Sequence, residues 1–403
     1  MWQPSRETEM RNSMRERGMS LVEMMVAVVI GMLTILAVTQ SMYFFETMRR
    51  GTTTGADAQS NAAFSVYMME RDLRMAGYGV FANHAGLIDN CIGGTVLGYN
   101  SERTPTDITF AVDDVPFFPV SINPPGIPAG DPNTDVVGVA FGSSDIGVSA
   151  EGTLLGTDNG AGNITVGNTG GVSAGDLVLA VPTGAGTSCS IYEITDGPGA
   201  VACNGSGTAA SLVYGDAAYP SRRASCANVT PTRNKPGGFG VATANYTNGR
   251  LFNLGHRNGL SHVYYAVRGG RLVRCNHQLN NCAGNENDTL VWEPVSDGVV
   301  MLRAEFGIAS GGQNSAVDTW RTEICDAGGC TPSQDDWTNL RVIRIAVVAR
   351  SQQSGAADTT TTVPQWNGQT AITLDGVDNW QRYRYSTTEV VIPLRNIVWG
   401  MSS

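Results

Sequence analysis

A single carboxylate, Glu23, lies near the start of a long apolar run that extends from Met19 to Phe45. A charged side chain in an apolar helix costs on the order of 2.5 to 3.5 kcal/mol at the centre of a bilayer and somewhat less near an edge. Such a side chain is tolerated mainly where a group of opposite charge meets it. We therefore predict that Glu23 pairs with a cation.

The apolar run is long enough to form a membrane-spanning helix, since about 20 residues are needed to cross a bilayer. An arginine-rich leader precedes it and ends at Gly18. Basic flanks stay on the cytoplasmic side, so everything after Phe45 is expected on the other side of the membrane. A cleavable secretory signal fits less well, because the run is too long and no small-x-small site follows it.

The sequence Gly18-Met-Ser-Leu-Val-Glu23, followed by an apolar helix, resembles the class III signal of type IV prepilins and type II secretion pseudopilins. The resemblance implies that a prepilin peptidase cuts between Gly18 and Met19 and methylates the new amine of Met19. It also implies that Glu23 neutralises the terminal amine of a neighbouring subunit during assembly. Most relatives carry Phe where this chain has Met19.

Further segments resemble PilW-type minor pilins. The stretch Arg71-Asp-Leu-Arg-Met-Ala-Gly-Tyr-Gly79 is similar to the end of the first helix in that family. Gly270 to Cys275, Arg341 to Ser351 and Thr387 to Asn396 are similar to its C-terminal half. The resemblance covers both ends of the chain and leaves a divergent middle.

The N-terminal helix is predicted to span residues 19–79. Its part 19–45 would lie in the membrane, and its part 57–76 would pack on the globular domain through an apolar stripe at helical spacing. The stripe consists of Ala62, Val66, Met69, Leu73 and Ala76. The charged residues Arg71, Asp72 and Arg74 are expected on a solvated or salt-bridged face.

Residues 80–403 are predicted to form a periplasmic β-rich domain, with a Gly, Thr and Ser rich variable part at about 80–255. A hairpin is expected around Gly269-Gly270, and the apolar run Arg341 to Arg350 is expected at the centre of a sheet. The predicted fold class is α+β, with a long N-terminal membrane-spanning helix and a globular domain dominated by antiparallel β-sheet, as in type IV pilins.

All eight cysteines lie beyond the anchor, and an even number in an extracytoplasmic domain predicts disulfides. Their spacing is not that of zinc or redox motifs. The short separations predict Cys275 with Cys282 and Cys325 with Cys330. The other four would be linked among themselves, with Cys189 to Cys203 and Cys91 to Cys226 as the preferred pairs.

Other chemistry is weakly indicated. No catalytic elbow, zinc-protease or phosphate-loop motif is present, so we expect neither an enzyme nor a cofactor. The four histidines lack metal-ligand spacing, and no metal site is predicted. The acidic residues Asp326, Asp335 and Asp336 could bind calcium or belong to solvated loops. A net charge of −10 without a basic run argues against nucleic acid as a partner.

The resemblance implies a minor pilin that helps prime type IV pilus assembly at or near the pilus tip. Its expected partners are other minor pilins, the major pilin, the prepilin peptidase, the inner membrane and a tip adhesin. It would lie in the bacterial inner membrane before assembly and on the pilus afterwards. The sequence does not distinguish between roles in motility, adhesion and DNA uptake. The alternatives are a J-type pseudopilin of type II secretion and a membrane-anchored periplasmic enzyme or ligand-binding module.

Overall fold

The computed structural model describes residues 19–79, 118–143, 153–158, 163–166, 172–181, 190–196, 211–215, 218–221, 225–231, 249–284, 286–311, 315–324, 334–355 and 357–400. They fall into two units, one ending at Thr53 and one beginning at Thr54. The helices and strands, in chain order, are α1 (Leu21–Leu73), β1 (Val120–Ile122), β2 (Val137–Phe141), β3 (Thr153–Asp158), β4 (Asn163–Val166), β5 (Asp176–Val181), β6 (Ser190–Asp196), β7 (Ser211–Tyr214), β8 (Tyr219–Ser221), β9 (Ala227–Val229), β10 (Arg250–His256), β11 (Ser261–Arg268), β12 (Arg271–Asn276), β13 (Glu293–Asp297), β14 (Val299–Ile308), β15 (Thr319–Arg321), α2 (Gln334–Asn339), β16 (Leu340–Arg350), β17 (Tyr385–Pro393) and α3 (Arg395–Gly400).

The first unit contains the apolar part of α1. Its segment Leu21–Glu46 has 26 residues and a mean hydropathy of 2.6, and its side chains are exposed rather than packed in a protein core. This is the one helix of the described residues that is long and apolar enough to cross a membrane. Exposed apolar side chains along such a length are expected where lipid, rather than water, surrounds the helix.

The second unit is built around the remaining part of α1. The apolar stripe Ala62, Val66, Met69, Leu73 and Ala76 is buried in the largest core cluster of this unit. Each fully buried side chain of the size of Val, Leu or Met contributes about 1.5 to 3 kcal/mol. The stripe therefore holds this part of α1 against the sheets that follow.

The end of α1 differs from the predicted end at Gly79, since the helix stops at Leu73. The next backbone hydrogen bonds join residues that are three apart instead of four. The N–H of Met75 donates to the carbonyl of Asp72, and the N–H of Ala76 donates to the carbonyl of Leu73. Gly77 then takes a φ of 76°, a conformation that glycine adopts without steric cost. The chain leaves the helix through these turns.

Two antiparallel sheets share the core with α1. One has the strand order β1-β2-β11-β12-β13 and the other has the order β15-β14-β16-β17. Apolar residues from both sheets, including Val263 and Tyr265 on β11 and Phe306 on β14, belong to the cluster that buries the α1 stripe. The predicted central run forms β16, which lies between β14 and β17.

The hairpin of β11 and β12 turns at Gly269 and Gly270, as the sequence predicts. These residues have φ values of 57° and 72°, and Arg268 pairs directly with Arg271 across the turn. Positive φ at both central residues is typical of a two-residue hairpin and explains the two glycines. The Asp131 carboxylate accepts both glycine N–H groups at 2.9 and 3.0 Å.

The sequence did not predict that the divergent middle closes into a six-stranded barrel, in the order β10-β3-β4-β7-β6-β5. Closure depends on β10, which pairs with both β3 and β5. The barrel strands bury a separate apolar cluster that includes Tyr192 and Tyr214. These two rings are stacked, with 4.2 Å between their centroids. A closed barrel has no exposed strand edge along its circumference.

A segment without strands packs against the four-stranded sheet after β16. Ile372 and Leu374 are buried in a cluster with Val348 of β16. Glu305 of β14, which is buried, accepts backbone N–H groups of Gln369 and Thr370 at 2.6 and 3.1 Å. The carboxylate therefore fixes the segment to the sheet.

Two histidines are buried where β11 meets the end of β12. His262 lies 2.6 Å from the hydroxyl of Tyr264, and its ring centroid is 5.3 Å from that of His277. Burial lowers the pKa of His262 well below its ordinary value, helped by the neighbouring His277, and lowers the pKa of His277 to about 4. Both rings are therefore neutral at pH 7.

We expect the stability of this domain to fall as the pH drops from about 6.5 towards 4. The unfolded chain takes up a proton on His277 near its ordinary pKa, whereas the folded protein does so only at about pH 4. This difference costs about 2 kcal/mol at pH 5 for His277 alone. Urea unfolding at pH 7.5 and pH 5 measures the loss, and His277→Gln should reduce it. Equal stability at both pH values would contradict a neutral buried pair.

Candidate functional site

The predicted assembly carboxylate lies in the first turn of α1. Ser20 caps this turn, because its Oγ accepts the backbone N–H of Glu23 at 3.2 Å and its carbonyl accepts the N–H of Met24 at 3.1 Å. Ser-x-x-Glu is the spacing of a capping box, a local sequence signal that could have identified Ser20 as the cap. The helix therefore begins at Leu21, close behind the predicted cleavage point.

Glu23 is exposed, and among the described residues no cation pairs with it. Met19 is also exposed, whereas Gly18 and the leader lie outside the described residues. Contact with a cation stabilises a carboxylate on an exposed apolar helix. The arrangement is suited to charge pairing.

A second polar site joins α1 to the sheet. The Asp72 side chain is buried, and its Oδ2 accepts the hydroxyl of Tyr265 at 2.6 Å. Its Oδ1 accepts Nε and Nη2 of Arg71 at 3.2 and 3.1 Å. Arg274 of β12 lies 3.6 Å from Oδ2. Burial, with the Asp72 charge as a further cause, raises the pKa of Tyr265, so its hydroxyl stays protonated and donates.

Arg71, Asp72 and Arg74 were predicted on a solvated or salt-bridged face, and Asp72 is salt-bridged but buried. Arg71 and Arg74 are more than half exposed, but Asp72 is only 3% exposed. The reason is its position, since Asp72 comes three residues after Met69 and so lies on the buried side of α1. The helical spacing of the stripe is a sequence signal that could have identified it.

The turns after α1 are tied to the sheet and to the C-terminal segment. The Gly77 N–H donates to the carbonyl of Ala140 at 2.9 Å. The Asn396 side chain donates to the carbonyls of Arg74 and Ala76, both at 3.3 Å. The two Asn396 bonds satisfy carbonyl groups at the end of α1, which have no helical partner.

The disulfide predicted between Cys275 and Cys282 is confirmed, with 5.9 Å between the Cα atoms. Cys226 is also disulfide-bonded. The predicted pairs of Cys325 with Cys330, Cys189 with Cys203, and Cys91 with Cys226 involve cysteines outside the described residues and stay predictions. The part of the chain that the structure describes contains no free cysteine.

The possible ligand groups do not form a metal centre within the described ranges, where no group of three or more His, Cys, Asp or Glu could hold an ion. Asp335 and Asp336 lie in the first turn of α2. Asp326, the other residue considered for calcium, is outside the described residues.

Two family models match the chain. The first, described as a prokaryotic N-terminal methylation motif, covers residues 13–39, and the second, described as Type IV Pilus-assembly protein W, covers residues 264–396. Over these residues the chain is similar to PilW-type type IV pilins. No curated protein and no solved structure matches it.

The PilW-type match extends from within β11 to α3, and the methylation motif covers Glu23 and the cap of α1. Neither matched range includes the barrel strands. Tyr265 and Arg274, which hold Asp72, lie in the PilW-type range. The PilW-type part of the chain thus carries the partners that fix α1 to the domain.

Proposed function

We propose that this chain is a minor pilin that helps prime type IV pilus assembly and sits at or near the pilus tip. The observation that carries the proposal is Glu23 in the first turn of an exposed apolar helix, within a methylation motif. The PilW-type match in the C-terminal part supports the pilus role over other membrane-anchored proteins.

The proposed mechanism begins in the inner membrane, where α1 anchors the subunit with its C-terminal domain in the periplasm. The prepilin peptidase cuts after Gly18 and methylates the amine of Met19. Glu23 then pairs with the terminal amine of a neighbouring subunit, and the attraction is strong because lipid and protein screen charges less than water does. The β domain offers surfaces to other minor pilins, the major pilin and a tip adhesin.

Deletion of the gene tests this function. We expect the deletion strain to lose most surface pili, to secrete type II substrates at the wild-type level, and to recover pili when the wild-type gene is restored. A secretion defect with normal pili would instead support the alternative of a J-type pseudopilin. Normal pili and normal secretion would contradict both assembly roles and favour a membrane-anchored periplasmic enzyme or ligand-binding module.

A further inference from the structure

An open cleft of about 560 Å³ lies between the domain part of α1 and β13. Phe64 of α1 lines it, and this side chain is 48% exposed, which is unusual for a large apolar residue. Pro294 of β13 forms part of another wall. The volume is within the range of about 300 to 1,000 Å³ that is typical of sites for small ligands. The cleft is therefore large enough to hold a small molecule.

The walls of the cleft are held in place by contacts within the domain. The hydroxyl of Ser296 on β13 donates to the backbone carbonyl of Asn61 on α1 at 3.3 Å. The carbonyl of Gly298, directly after β13, accepts the N–H of Arg350 at 2.7 Å. A Cβ atom on Gly298 would come within 2.9 Å of the Arg350 carbonyl oxygen, so this close approach requires glycine. Gln352, two residues further on, therefore lines the cleft from a fixed backbone.

The polar residues that line the cleft carry no net charge. Asn61 and Gln352, whose side-chain amides donate and accept hydrogen bonds, are joined there by Ser60 with its hydroxyl group. Arg271 and Asp297 also line the cleft and form an ion pair at 2.8 Å, so their charges cancel. These groups suit a neutral ligand with several hydroxyl or amide groups. A phosphate or an ammonium group would find no excess of opposite charge.

Strand β13 lies at the edge of its sheet, a position at which an extended peptide can in general add as a further strand. Two features of β13 oppose such addition. Pro294 lacks a backbone N–H, and the pairing of β13 with β12 shifts its register between Leu272 and Val273. Proline and irregular pairing both protect a sheet edge from strand addition. The cleft therefore suits a small molecule better than a peptide strand.

We propose that this cleft binds a neutral saccharide. A sugar ring carries C–H groups on its face and hydroxyl groups around its edge. The C–H groups pack against the ring of Phe64, whose face is electron-rich. The hydroxyl groups form hydrogen bonds with the amides of Asn61 and Gln352, which a purely apolar ligand would leave without partners. This inference goes beyond the proposed function and does not depend on it.

Saturation-transfer NMR of sugars mixed with the purified full-length chain tests the proposal. The detergent must lack a sugar headgroup, because such a headgroup would compete for the cleft. The probes are two neutral trisaccharides. Chitotriose represents the N-acetylhexosamine units of a cell-wall glycan, and cellotriose represents plain hexose polymers outside the cell. We expect at least one of them to bind with a dissociation constant of about 1 mM or below, and the tighter binder indicates which source supplies the ligand.

Two pairs of variants locate the binding site. Phe64→Ser should weaken binding at least about tenfold, because it removes the aromatic surface. Tyr67→Ser, which changes an exposed aromatic residue one turn away on α1, should bind like the wild type. Gln352→Ala should weaken binding about fivefold through the loss of a hydrogen bond, whereas the neighbouring Gln353→Ala should not. All four side chains are exposed, so the thermal unfolding temperature should be the same in every variant.

Three results would overturn the proposal. The first is that neither sugar binds at about 10 mM. The second is that Phe64→Ser and Tyr67→Ser bind a sugar equally well, which would place the sugar elsewhere. The third is that a displayed peptide library yields a binder that Phe64→Ser abolishes while neither sugar binds. The proposed pilus role is measured separately, by deletion of the gene, and stands or fails independently of these results.

Discussion

Replacing Asp72 with alanine should destabilise the globular domain by about 3 to 5 kcal/mol, because it leaves buried partners without their counter-charge. Tyr265 would lose the acceptor that lies 2.6 Å from its hydroxyl, and the positive charge of Arg274 would remain without its carboxylate. The loss also removes a link between α1 and β11. Urea unfolding of the purified chain in detergent, followed by near-ultraviolet circular dichroism, measures the change.

Glu70→Ala is the matched control for Asp72→Ala. Glu70 lies half a turn earlier on α1 and pairs with Arg74, whose side chain is 54% exposed. Exposed ion pairs contribute at most about 1 kcal/mol, so this variant should unfold close to the wild type. Equal losses for both variants would show that Asp72 contributes no more than a surface charge.

Replacing Glu23 with alanine should leave membrane insertion intact and reduce incorporation into pili at least about tenfold. A tenfold reduction corresponds to about 1.4 kcal/mol. This is less than the cost of about 2.5 to 3.5 kcal/mol for an unpaired charge in the membrane, which pairing with a cation would offset. The remaining segment Leu21–Glu46 is apolar enough to insert without Glu23. The variant lacks the group that we propose to pair with a neighbour's amine. Membrane fractionation, pulldown of other pilins and counts of surface pili measure the two effects separately.

Two further variants sharpen this test. Glu23→Gln keeps the size of the side chain without its charge and should behave like Glu23→Ala. Glu46→Ala removes a carboxylate from the other end of the same apolar segment and should assemble normally. Wild-type pulldown and piliation with Glu23→Ala would exclude a role for this carboxylate in assembly.

The features that sequence reasoning predicted best depend on neighbours close in the chain. The apolar stripe of α1, the Gly269-Gly270 hairpin and the disulfide of Cys275 with Cys282 each follow from spacing within a few residues. The central position of β16 follows from its largely apolar sequence. Local patterns such as these determine the element type and the buried face.

Features that depend on distant residues were missed. Tyr265, the partner of Asp72, is 193 residues away in the sequence. Closure of the barrel requires β10 to pair with both β3 and β5, and no local pattern in β10 specifies two partners. The cap at Ser20 could have been predicted from the sequence, because its spacing to Glu23 is local.

Mass spectrometry of the mature protein, purified from its own membrane, tests directly whether this chain is processed as a pilin. We expect an N-terminal peptide that begins at Met19 and carries one methyl group on its amine, in line with the methylation motif at residues 13–39. An intact leader ending at Gly18, or a first residue beyond the apolar segment Leu21–Glu46, would contradict it.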